Sequence, residues 1–329
     1  MSYRATLARQ PESLADCIAT AKAELASLDI APLKQGVIAV TGIGASFAAA
    51  TVIAGDLVHR GRRAFPLRCA DLTGGGLADG IMALSHRGTS VETVEALNAN
   101  PAAAKLAITK DPASPLAKAA GRHLTINNGG DATPSTTGYT GTLAAAGLLV
   151  DCLHGAGADW DALPALAAQT LEAAGKKMAK LRQTFADRRA IDCVGAGPSL
   201  GTADGASLLI REAARIPASP SETRHYLHGP MESMDAKTGV VLFGSGREIG
   251  IARQLQEIGC PVLLVTTRAD VAEGPLLTVM TVPAQKTAAA QGILDILTAQ
   301  LLAAELSDAA GLTDTKFRYP QTDTKIKAA

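Results

Sequence analysis

Short apolar runs, each closed by a turn of small residues, alternate along the chain with stretches whose apolar positions recur at helical spacing. The run at 37–40 leads into Gly42-Ile43-Gly44-Ala45-Ser46, and the run at 191–194 into Gly195-Ala196-Gly197-Pro198-Ser199. Two more anchors recur in the same order. Residues 84–88 are answered by 242–246, and Leu106-Ala107-Ile108-Thr109 by Leu263-Leu264-Val265-Thr266, so the three offsets are 153, 158 and 157 residues. A repeat of strand, small-residue turn and helix predicts two α/β units, each a doubly wound, mainly parallel sheet with its binding crevice at the strand C-termini.

Strands are expected near 36–41, 64–69, 80–85, 104–109 and 123–127 in the first unit, and at 191–194, 239–243, 263–266 and 276–282 in the second. An N-terminal helical segment fills 1–33, the first unit 34–153 and the second 189–307, where 289–306 reads as a terminal helix. Between the units, a connector at 154–188 carries the only tryptophan, Trp160, and then one long amphipathic helix over 166–185. A polar tail, 308–329, holds Lys316, Lys325 and Lys327.

Composition narrows the partners. With 329 residues, 47% of them hydrophobic and 19% charged, the chain can build two cores, and disorder is not expected. Lys plus Arg and Asp plus Glu both total 31, leaving no basic excess for a nucleic acid; a small molecule is the expected partner. No apolar run of membrane-spanning length and no signal-like N-terminus is evident, so no membrane is expected and the cytoplasm is. The five scattered cysteines lack a Cys-x-x-Cys pair and read as reduced core thiols rather than nucleophiles or a zinc site.

Four places carry candidate chemistry. Ser85-His86-Arg87-Gly88-Thr89-Ser90 lies between a strand and a helix: Gly88 frees the backbone, the first helical amides face the crevice, and Ser85, Ser90 and Arg87 can hydrogen-bond a phosphate. The competing reading is a capping box between Thr89 and Glu92. Ser46, in the first small-residue turn, can join the same phosphate; a nicotinamide fingerprint would need glycine where Phe47 and Leu200 stand, which leaves a dinucleotide-dependent oxidoreductase as the weakest reading. Glu212 sits above the buried stripe of a helix over 207–216, where desolvation would raise its pKa toward that of a general base; neighbouring Arg211 shows that part of this helix faces water, and on these residues alone a solvated glutamate is the expected reading. His225-Tyr226-Leu227-His228-Gly229-Pro230 lacks further ligands for zinc, so no metal is expected there, and an imidazole acting in acid/base chemistry or anchoring the loop fits better.

Together these features resemble the tandem sugar isomerase (SIS) domain family, in particular the isomerase half of glutamine–fructose-6-phosphate aminotransferase and stand-alone relatives. The phosphate loop is matched by 85–90, the Gly-Thr-Ser turn by Gly44-Ala45-Ser46, and the Ala-Ser-Thr-Lys segment by Pro134-Ser135-Thr136-Thr137. Arg211-Glu212 matches a Lys-Glu helix, and Leu227-His228-Gly229-Pro230 matches a Lys-His-Gly-Pro loop. The resemblance implies that Glu212 moves a proton between C1 and C2 and that His228, from a neighbouring subunit, assists ring opening. It further implies that Ser46, Ser85, His86 and Ser90 hold the 6-phosphate, that Ser135 touches the sugar, and that Lys325 corresponds to the active-site lysine. Departures are also evident: Arg87 replaces a phosphate-binding serine, Ser90 a threonine, Gly205 a second glutamate and Leu209 a lysine. Arg87 can offer a fork to a phosphate or a carboxylate, or block the site by its bulk.

The repeat begins by residue 36 with no cysteine-nucleophile glutaminase ahead of it, so glutamine-dependent synthesis is not expected of this chain alone. The expectation is therefore a cofactor-free phosphosugar isomerase-type enzyme, homodimeric or larger, coupled to deamination or deglycation. The alternative is a non-catalytic phosphosugar-binding regulator.

Overall fold

The computed structural model describes residues 1–155, 157–312 and 317–326. Lys316 and Lys327 lie outside the described residues. Among the described residues, ten strands form two sheets: β1 (Ile38–Thr41), β2 (Ala64–Pro66), β3 (Gly80–Leu84), β4 (Ala104–Thr109) and β5 (His123–Thr125), then β6 (Ala190–Gly195), β7 (Ala218–Glu222), β8 (Thr238–Phe243), β9 (Val262–Thr266) and β10 (Leu277–Thr281). The first sheet runs β2-β1-β3-β4-β5 and the second β7-β6-β8-β9-β10, with every pairing parallel. The two orders are the same, so the repeat in sequence is a repeat in topology.

Strand alternation divides the core into layers. Ile38 and Val40 face a large shared core while Ala39 joins a smaller cluster on the outer face of its sheet; in the second sheet Val241 and Phe243 face inward, Val240 and Leu242 outward. Helices Ala45–His59, Thr137–His154, Ser199–Ala214 and Ala288–Ala309 fill the space between the sheets. Both faces of each sheet are therefore covered, and β1, β3, β8 and β9 are buried at every residue. Helix Ala288–Ala309 is long and apolar enough to cross a membrane, contrary to the expectation of no such run; 83% of its 18-residue apolar window is buried inside the fold, as expected of a core helix.

Two further expectations are corrected. The single helix over 166–185 is two helices, Leu163–Gly175 and Met178–Phe185, interrupted after Gly175, a residue poorly suited to a helix interior. Strand β7, Ala-Ser-Pro-Ser-Glu, was not anticipated at all. It is an edge strand, where a proline and exposed polar residues are tolerated because one row of backbone groups has no partner to serve.

Candidate active site

The crevice at the C-terminal end of the first sheet is built on glycines. At Gly88 φ is 66°, and a Cβ there would overlap Ser114 Oγ, so only glycine lets the turn after β3 approach the next loop. A Cβ on Gly42 would lie 2.7 Å from Ser46 Cβ and 2.8 Å from the Leu84 carbonyl oxygen. The turn that carries half-buried Ser46 is thus pressed against the end of β3, immediately before Ser85.

The capping box between Thr89 and Glu92 does not form. Helix Val91–Asn98 has Ser90 as its N-cap, with no capping bond from the side chain. The Ser90 hydroxyl instead lies 3.3 Å from Ser85 Oγ and accepts a hydrogen bond from Lys325 Nζ at 2.9 Å. A short stretch of the tail holds the lysine there: Ser90 and Lys325 form an antiparallel bridge, the Ile326 amide donates to the Thr89 carbonyl at 2.8 Å, and the Val91 amide to the Thr324 carbonyl at 3.3 Å. Two hydroxyls, an ammonium group and a helix N-terminus therefore converge, a combination that favours an anion.

His86 faces the neighbouring loop. Asn128 donates its amide to Thr137 Oγ1 at 3.0 Å, so its Oδ1 is the acceptor for His86 Nε2 at 2.9 Å, which assigns a ring proton to Nε2. Arg87 is exposed at the rim. Ser135 is oriented by Asp131, which accepts its hydroxyl at 2.6 Å and also takes the amides of Thr136 at 2.9 Å and Gly138 at 3.1 Å. Asp131 was not singled out from sequence; a short acidic side chain just before a helix was its only signal.

Glu212 projects from helix Ser199–Ala214 of the second unit toward Ser135 of the first. The two line one water-sized cavity with Ala45, Tyr139, Gly205 and Leu208. Burial pushes the half-buried Glu212 carboxyl up to about 7, with Arg211 pulling weakly the other way. Tyr139 was also not foreseen. It is 4% exposed, its hydroxyl has no hydrogen-bond partner among the described residues, and a Cβ on Gly205 would come within 3.2 Å of that hydroxyl. Gly205 therefore gives the tyrosine ring room beside the carboxylate. His228 is exposed in the turn after helix Thr223–Tyr226 and lines none of the described cavities that contain Glu212.

By sequence, neither a family model nor a curated protein matches the chain. Among solved structures, the C-terminal domain of glucosamine-fructose-6-phosphate aminotransferase from Francisella tularensis superposes with a TM-score of 0.81 at 18% identity, covering 95% of this chain and 97% of that one. Tagatose-6-phosphate ketose/aldose isomerase from Escherichia coli gives 0.78 at 18%, covering 97% of each. Glucosamine-6-phosphate deaminase from Thermotoga maritima gives 0.74 at 18%, covering 95% and 98%. This chain has the sugar isomerase fold. Within that fold the phosphate-loop candidates Ser85 and Ser90 meet Lys325, and Glu212 meets Ser135, whereas His228 stands apart.

Proposed function

We propose that the chain is a phosphosugar isomerase-type enzyme acting on a sugar or amino-sugar 6-phosphate, with Glu212 as the general base. The observation that carries this reading is Glu212 itself, a carboxyl held near neutrality beside Ser135. A base that must lift a carbon-bound proton and return it works best with a pKa close to ambient pH.

On this reading Ser46, Ser85, Ser90 and Lys325 hold the 6-phosphate, with His86 bracing the loop and Arg87 at its rim. Ser135 hydrogen-bonds the sugar. Glu212 takes the proton from C2 of the open-chain aldose and returns it at C1, which moves the carbonyl to C2. For a 2-amino sugar the same transfer leaves an imine at C2, which water hydrolyses with release of the amine. His228 assists ring opening from a second copy of the chain, so an oligomer and the two-domain division at 34–153 and 189–307 belong to the proposal, as does a cytoplasmic location.

The exposed position of His228 favours a second reading, a phosphosugar-binding regulator without turnover. Proton NMR in deuterated water separates the two, using hexose 6-phosphates, hexosamine 6-phosphates and fructosyl-amino-acid 6-phosphates. Exchange at C1 or C2 is expected, with released amine marking a deaminase or deglycase. Ligand-induced shifts without exchange on any member would favour the regulator.

A further inference from the structure

Beyond the water-sized cavity, Glu212 also borders a second, open cavity of about 480 Å³, lined by Arg211, Arg215 and Arg318 together with Ile216, Pro217, Phe317 and Tyr319. Its volume lies within the ordinary range for small-molecule sites. Three arginines and one carboxylate thus line one cavity in a chain whose net charge is zero. None of the three forms an ion pair among the described residues. Arg211 hydrogen-bonds Ser207, with Nε 3.4 Å from its carbonyl oxygen, and also borders a neighbouring cavity with Asp204.

Cations at a helix C-terminus complement its dipole, which accounts for Arg211 and Arg215 in part. It does not account for Arg318, which arrives on the separate tail segment, nor for the apolar wall beside it. Phe317 and Tyr319 are 52% and 78% exposed, large apolar surfaces that border this cavity. Arg215 caps the helix with φ 59°, the left-handed position that glycine usually takes, and from there it borders the cavity.

We infer that this cavity receives a carboxylate-bearing organic substituent on the sugar phosphate, of which an amino acid joined through nitrogen to a hexose 6-phosphate is the simplest example. The arginine forks bind the carboxylate, and Phe317, Tyr319, Ile216 and Pro217 cover the body of the substituent. A sugar whose reacting carbons lie at Glu212 has only to extend its nitrogen substituent outward to reach them. The inference rests on the proposed phosphosugar reading and narrows its substrate class.

Calorimetric titration with four ligands tests it: fructose 6-phosphate, its 1-deoxy-1-alanine adduct, the matching alaninamide adduct, and fructose 1,6-bisphosphate. The expected result is that the alanine adduct binds about 10- to 100-fold more tightly than the alaninamide, as loss of a charge-assisted pair predicts. In Arg318→Ala that ratio falls toward one; Arg318 is exposed, and a thermal melt checks that the variant is folded.

Equal binding of the two adducts, or an advantage that survives both Arg318→Ala and Arg215→Ala, would overturn the inference. The bisphosphate binding more tightly than the alanine adduct would overturn the carboxylate assignment. If fructose 6-phosphate binds and neither adduct does, the inference fails and the phosphosugar reading stands. If none of the four binds, the phosphosugar reading fails and takes the inference with it.

Discussion

The loop after β3 and the loop after β8 occupy the same place in two sheets of the same strand order, and both bring the N-terminus of a helix to a crevice. After β8 the chain fills that position itself. The Gly246 amide donates to Glu248 Oε2 at 3.1 Å, the Thr223 hydroxyl donates to Oε1 at 2.6 Å, and Glu248 is 4% exposed. Ser245 is committed as well, lying 2.9 and 2.8 Å from the hydroxyls of Thr266 and Thr267. After β3, Ser85 and Ser90 face each other and Lys325 closes over them. A built-in carboxylate satisfies one helix N-terminus permanently, while hydroxyls and an ammonium group suit the other to an anion that comes and goes.

The same asymmetry extends to the candidate base. The first offset of the repeat, 153 residues, carries Glu212 onto His59, an exposed residue at a cavity of about 300 Å³ lined also by Ser199, Lys286 and Asp295. On the proposed reading, one unit of the repeat contributes the anion loop and the other the carboxylate.

The largest effect should come from Glu212→Gln. It should slow C1/C2 exchange by ~10²- to 10⁴-fold, as removal of a general base does, with phosphosugar binding retained. Retained turnover would place the base elsewhere and break the comparison with His59.

Next, Glu248→Gln should cost about 1–3 kcal/mol of stability, because glutamine keeps only one acceptor oxygen for the Gly246 amide and the Thr223 hydroxyl, and should leave phosphosugar affinity unchanged. A thermal melt paired with a titration reads both quantities. A tenfold loss of affinity would mean that the second loop also serves the ligand.

Asp295, on a core helix and 6% exposed, is bonded by Gln291 at 2.8 Å, and burial pushes its carboxyl up to about 7. A carboxyl whose folded pKa is raised makes the protein lose stability as pH rises from the ordinary carboxylate range toward 7, since the unfolded chain releases that proton first. Asp295→Asn should therefore stabilise the protein at pH 8 and do little at pH 4. Equal effects at both values would show that the carboxyl does not titrate this way.

The smallest effect concerns Tyr139. The cavity it shares with Glu212 is about the size of one water, and a water placed there would let the hydroxyl donate to the carboxylate. In the wild type, kcat/KM should rise with pH along a limb near 7 as Glu212 ionises. Tyr139→Phe should lower kcat/KM about 2- to 10-fold and move the limb upward, since the anion loses a donor. An unmoved limb would reduce Tyr139 to packing.

Much of this was legible because burial writes itself into the sequence. The inner strands β1, β3, β4, β6, β8 and β9 read as apolar runs since both faces of each sheet are covered, whereas Glu212, over a buried stripe, read on its own as a solvated helical glutamate and gained weight only from the resemblance. Strand β7 was illegible for the opposite reason: an edge strand needs no apolar run. Lys325 was suggested only by resemblance, because contact between residue 325 and residue 90 is a product of the folded tail and leaves no local pattern. Tyr139 carried one faint signal, glycine at 205 in an otherwise buried helix, which acquires meaning only once the facing helix is placed.

The most direct test of the account is a calorimetric titration of fructose 6-phosphate into the wild type, Ser90→Ala and Ser245→Ala. The account predicts one ligand per chain, with affinity weakened by Ser90→Ala and untouched by Ser245→Ala. Two ligands per chain, or an affinity that depends on Ser245 and not on Ser90, would contradict it.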